Sequence, residues 1–150
     1  MLIIIGFLFS VLISAFVSLP MGMSGLAFID MPSALLTLIF LFFFFFTSKS
    51  GSIISRYIKS SFKKNYNYTR TELVSLSTAV KNTIKFTLGT GGFGFLTGFI
   101  ACLMFLDKKE MLGPNIAVSL ITVFYSILVS FVIFFPVQAW AENKLNAMGE

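Results

Sequence analysis

The sequence predicts an all-α, polytopic membrane protein with four transmembrane helices, and three observations carry that prediction. Hydrophobic residue types make up 57% of the 150 residues and charged types only 11%, far from the soluble average. The apolar residues are gathered into stretches close to the roughly 20 residues that a helix needs to cross a bilayer. The basic residues, by contrast, crowd into one central segment between Lys49 and Lys85, as they do in short cytoplasmic loops.

Residues 1–48 hold the first two spans and a short outer loop. The first span, Leu2 to Leu19, places Gly6, Ser10, Ser14 and Ser18 at steps of four, on one helical face. It has neither a basic leader nor a small-x-small cleavage site, so it reads as a retained helix. The second span, Ser33 to Thr47, is short, which predicts local thinning of the bilayer or extension through Pro32. Asp30 stands where a carboxylate meets the free amides and positive dipole end of the helix starting at Pro32 or Ser33, and is predicted to cap it. The run Phe40-Leu41 and Phe42 to Phe46 reads as lipid-facing filler.

Residues 49–85 form a basic cytoplasmic loop too short to bury a core of its own. Ile53, Ile54, Tyr57, Ile58 and Phe62 make an apolar face opposite Arg56, Lys59, Lys63 and Lys64, the pattern of an interfacial helix lying on an anionic leaflet. Asn65 to Tyr68 breaks it. Thr69 with Glu72 then forms a capping box that opens another helix, whose apolar side runs through Leu73, Leu76, Val80 and Ile84 into the third span.

Residues 86–150 complete the bundle with the last two spans and a short cytoplasmic tail. The third span is read at Ile84 to Leu106, with Thr90, Gly94, Thr97 and Ala101 as its small face. The fourth, Asn115 to Val137, carries Asn115, Ser119, Thr122, Ser126 and Ser130 at steps of four, three, four and four. Such a hydroxyl ladder either packs helices or lines a polar path. With the basic loop inside, both termini are cytoplasmic and the connections Pro20–Pro32 and Asp107–Pro114 face outward.

The residue inventory argues against an enzyme. There is no His, one Cys, Cys102, and six acidic residues, none of them mid-span, whereas acid/base or nucleophilic catalysis needs a base beside its nucleophile. Neither a metal cluster nor a bound cofactor is expected. Gly89, Gly91 and Gly94 match G-x-G-x-x-G, yet no strand precedes them and no acidic residue follows at the needed distance. The net charge of +5 is explained by topology, so no nucleic-acid partner is expected. An ion path in this chain would also lack an intramembrane carboxylate, which a partner would have to bring.

Three stretches, one in each of the last three spans, resemble a known family. Phe28-Ile-Asp-Met-Pro-Ser-Ala-Leu-Leu36 is similar to the start of the second span in flagellar stator A subunits of the MotA type, and Leu112 to Ser126 with Ile133-Phe-Phe-Pro136 to the fourth span of MotA, ExbB and TolQ proteins. Gly92 to Ile100 looks like their third span. The resemblance implies a MotA/ExbB-like core, a bacterial inner-membrane location and a homo-oligomeric ring, five-membered in known relatives. Such a ring surrounds a MotB- or ExbD-like single-span partner with a membrane Asp, and proton or sodium flow drives motion of that partner. It implies Thr97 and Thr122, with Ser119 and Ser126 beside them, as ion-pathway candidates, and Pro136 as a coupling residue. Val123 and Ser126 stand where relatives often have the pathway threonine and a glycine, and the loop cannot hold the large cytoplasmic domain of flagellar members. A non-conducting scaffold ring and a small holin- or transporter-type pore are the alternatives.

Overall fold

The structure, a computed structural model, describes residues 30–61 and 66–148. The expected first span with its Gly6-to-Ser18 face, and Phe62, Lys63 and Lys64 of the loop, lie outside the described residues. Among the described residues every regular element is helical: α1 (Met31–Thr47), α2 (Ser50–Ser61), α3 (Arg70–Met104), α4 (Lys109–Leu128), a π-helical turn (Val129–Phe134) and α5 (Phe135–Asn146).

Helix α1 starts as the sequence predicts. The Asp30 carboxylate accepts from the Ser33 amide at 2.9 Å, and Pro32 occupies the first turn, where its missing N–H is no loss. Extended backbone at Ser48 ends the helix. Helix α2 then leaves at 94° to α1, and the bend brings Gly51 so close to Phe45 that an added Cβ would sit 2.7 Å from the Phe45 carbonyl oxygen. The apolar side of α2 expected on lipid turns largely into the protein: Ile54 is buried, with Ile53 and Tyr57 packed beside it, and Ile58 stays exposed.

Both halves of the predicted capping box open α3, the Thr69 hydroxyl accepting from Glu72 N and the Glu72 carboxylate from Thr69 N. Its 35 residues extend over roughly 52 Å, well beyond the ~30 Å hydrocarbon core. The surplus lies at the N-terminal end, ahead of the apolar stretch that begins at Ile84. A turn at Phe105–Asp107 reverses the chain into α4, which continues through the π turn into α5. Two helical runs are long and apolar enough to cross a membrane, Arg70–Met104 and Lys109–Asn146; the bent α1–α2 pair makes a third if both arms are counted as one span.

Packing follows two opposite rules along the molecule. At the end formed by α2, the start of α3 and α5 the core is conventionally apolar, built from Ile54, Leu73, Leu76, Val80, Phe134, Val137 and Ala141. Toward the other end the buried residues are polar or tiny: Ser33 and Thr37 of α1, Thr83, Thr87, Thr90, Gly91 and Gly94 of α3, Ser119, Thr122 and Ser126 of α4. The exposed ones there are Leu35, Leu96, Ile100, Leu103, Leu120 and their like. That inversion is stable only where the surroundings are as apolar as the side chains. The Phe run divides accordingly: Phe42, Phe43 and Phe46 are exposed, while Phe44 stacks on Phe86 with centroids 4.4 Å apart and Phe45 meets Phe134 edge-on at 6.2 Å.

Candidate functional site

The polar stripe of α4 is one half of a zipper. An added Cβ on Gly91 would strike the Ser126 side chain, one on Gly94 that of Thr122, and one on Gly98 that of Ser119. As the α3 number rises the α4 number falls, so the helices run antiparallel with each glycine seating one hydroxyl residue. At the end of the seam near the α3–α4 turn, Cys102 Sγ reaches the Leu112 carbonyl at 3.9 Å. Glycine is required at these positions because the hydroxyl residues occupy the space where its side chain would be.

Helix α1 closes the seam from a third side. Ser33 Oγ donates to the Val118 carbonyl at 3.3 Å, and Thr122 Oγ1 lies 3.0 Å from both Ser33 Oγ and the Val118 oxygen. Above them the Asp30 amide donates to the Tyr125 hydroxyl at 3.1 Å. The remaining hydroxyls serve their own helices: Ser119 to Asn115 O at 2.7 Å, Ser126 to Val123 O at 2.7 Å, Thr83 to Ala79 O and Thr87 to Thr83 O at 2.8 Å, Thr90 to Phe86 O at 3.0 Å. Thr122 is only 3% exposed. One hydroxyl differs: Ser130 Oγ is buried and has no hydrogen-bond partner among the described residues, in the π turn where the Phe135 amide bonds the Ser130 carbonyl and Pro136 offers no N–H at all.

Of the pathway candidates, Ser119, Thr122 and Ser126 come together in the seam. Thr97 does not join them. It is exposed, its hydroxyl donating to Phe93 O at 3.1 Å and Gly94 O at 2.9 Å. The small face of α3 is therefore corrected from Thr90-Gly94-Thr97-Ala101 to Thr90, Gly91, Gly94, Gly98 and Cys102. Both sets have helical spacing; the tight fit of glycine against hydroxyl decides between them. Asp30 and Pro32 sit at the start of α1, and Pro136 opens α5. Sequence reasoning missed Ser33 as a seam member and Thr37 as a buried hydroxyl bonded to the Ser33 carbonyl, although their four-residue spacing was the available signal.

Chemically the seam offers dipoles and close packing. Its titratable side chains are the Cys102 thiol and, where α1 begins, the Tyr125 phenol and the Asp30 carboxylate that caps α1, and among the described residues no group of His, Cys, Asp and Glu could hold a metal ion.

No family model matches the chain, and no solved structure matches it. A curated protein of Bacillus subtilis (strain 168), named "Uncharacterized protein YtxD", is 37% identical over 63 residues, which is 42% of this chain and 23% of that protein. The match thus spans less than a quarter of the relative's length.

Proposed function

We propose that this chain is the ring-forming subunit of an ion-driven membrane motor or energy transducer of the MotA/TolQ/ExbB type, with four spans and both termini on the cytoplasmic side of a bacterial inner membrane. One observation carries the reading: the three stretches that resemble that family meet in one place. Ser33 from the first stretch bonds Val118 and Thr122 from the last, and Gly94 and Gly98 from the middle one seat Thr122 and Ser119. Their meeting in one seam supports the reading.

In this reading the seam sets the geometry and the ion passes outside the protomer. Thr122, Ser119 and Ser126 hold α3, α4 and α1 in register, and Thr97 offers a hydroxyl on the outer surface where a copy and a partner helix could form a path. The partner brings the carboxylate, because the apolar stretches of this chain have none. Pro136, just past the π turn, is the coupling residue, and protons or sodium ions are the cargo.

The closed seam, with hydroxyls bonded largely to their own helices, favours a second reading, a scaffold ring that holds a partner without conducting. Ion flux into liposomes separates the two. The chain alone should be silent, and the chain co-reconstituted with a single-span protein bearing a membrane Asp should conduct, with Thr97→Ala reducing the flux while assembly persists. Silence of the pair leaves the scaffold, and flux through the chain alone removes the need for a partner carboxylate.

A further inference from the structure

At the apolar-core end, α2, the Tyr66–Thr69 lead-in and the first turns of α3 enclose a cavity of about 200 Å³ that the seam does not use. Its walls are three tyrosine rings, Tyr57, Tyr66 and Tyr68, over a floor of Ile53 and Leu76. The rings are fixed by one another and by the chain. Tyr66 and Tyr68 meet edge-on at 4.8 Å, Tyr57 and Tyr68 lie 6.0 Å apart, and the Tyr68 hydroxyl is 2.9 Å from Ser60 Oγ, itself only 6% exposed.

Two opposite charges complete the lining, Arg56 and Glu72. Glu72 lies well ahead of the apolar stretch of α3, and its carboxyl is held below its ordinary value by the Thr69 amide and then the Tyr66 hydroxyl, with Arg56 adding a smaller effect. Each carboxylate oxygen accepts one of those bonds, at 3.0 and 2.8 Å, and keeps a lone pair free. A purely cationic ligand would meet Arg56, and a purely anionic one Glu72. A ligand carrying both charges satisfies both, and tyrosine faces favour an ammonium. The cluster already holds one cation this way: Lys144 Nζ is 4.9 Å from the Tyr68 centroid and 5.3 Å from that of Trp140.

We propose that this cavity binds a small zwitterion, its primary ammonium against Glu72 and the tyrosine rings and its phosphate or carboxylate against Arg56. The source is either a phosphoethanolamine lipid headgroup or a free solute of the same chemistry. The inference does not depend on the motor reading.

The chain's one tryptophan, Trp140, packs on two cavity walls, 5.3 Å from both Tyr57 and Tyr68, and reports occupancy by fluorescence. The full chain in phosphatidylglycerol nanodiscs is titrated with O-phosphoethanolamine, ethanolamine and inorganic phosphate. A saturable change with phosphoethanolamine, about tenfold weaker with either half-molecule and in Glu72→Gln and Arg56→Gln, supports the proposal. Glutamine at position 72 keeps the capping box, and Arg56 is exposed, so neither change threatens folding. A shifted emission in phosphatidylethanolamine nanodiscs that no longer responds to the solute, and that both variants abolish, identifies the lipid as the source. No saturable response in either lipid, equal binding of phosphate alone, or unchanged binding in both variants overturns it.

Discussion

Gly92 and Gly94 are two positions apart and opposite in consequence. A Cβ at Gly92 points into open space, whereas one at Gly94 runs into Thr122. Gly92→Ala should therefore raise thermal stability, by about 0.5–1 kcal/mol of helix propensity, and Gly94→Val should lower it sharply by prising α3 from α4; unfolding of the two variants in detergent, followed by circular dichroism, checks the contrast. Ser130 gives a second contrast. Its buried hydroxyl has no partner among the described residues, so Ser130→Ala should be neutral or stabilising, by up to about 1–3 kcal/mol, while Ser130→Leu overfills a site with 0% exposure and should destabilise in the same assay. At Glu72 the sign runs with pH: a carboxyl whose folded value is lowered contributes its stabilisation above the unfolded value and loses it as pH falls through the lowered one. The protection factor of the Thr69 amide, which donates to Glu72, should fall across that acid window in the wild type and show no such step in Glu72→Gln. The stripe on α4 was legible residue by residue because a four-and-three rhythm has one meaning on a helix. Thr97 against Gly98 was not, since two interleaved faces share that rhythm and only the fit to Ser119 chooses.

Elements with strong local chemistry follow the sequence closely. The capping box at Thr69 and the Asp30 cap each appear as expected, because a cap is decided within four residues. The π turn was not legible: it depends on how Val129–Phe134 passes Pro136, where one ladder donor is missing and the Phe135 amide has moved to the Ser130 carbonyl. A π turn inside a long helix marks a place where the ladder deforms at low cost. Pro136→Ala restores a donor, and up to about 3 kcal/mol of helix propensity is at stake. It should slow hydrogen exchange across residues 129–140, and, if Pro136 couples ion flow to movement, should reduce that coupling while leaving assembly unchanged. Unaltered exchange would mean that the proline is not what opens the turn. Helix α2 taught a different lesson. Its amphipathic pattern was real, but a pattern does not say whether lipid or protein covers the apolar face, and here Ile54 is buried in a core shared with α3 and α5.

Across the whole molecule the reversal of polarity is the deciding feature. From Ile54 to Ala141 at one end, the apolar core is what water would select; from Ser33 to Ser126 at the other, buried hydroxyls and exposed Leu, Ile and Phe are what hydrocarbon would select. Composition foretold the membrane, but not where the change of rule falls, near Thr83 and Phe134, because that depends on which faces meet. The proposed motor needs copies of this chain around a partner, since one protomer offers a closed seam whose nearest carboxylate, Asp30, is engaged in capping α1. Native mass spectrometry of the chain, extracted with its lipid from cells that also express a single-span protein bearing a membrane Asp, tests this most directly. A closed ring of identical copies carrying that partner is the expected result; a monomer with nothing attached would contradict the motor reading.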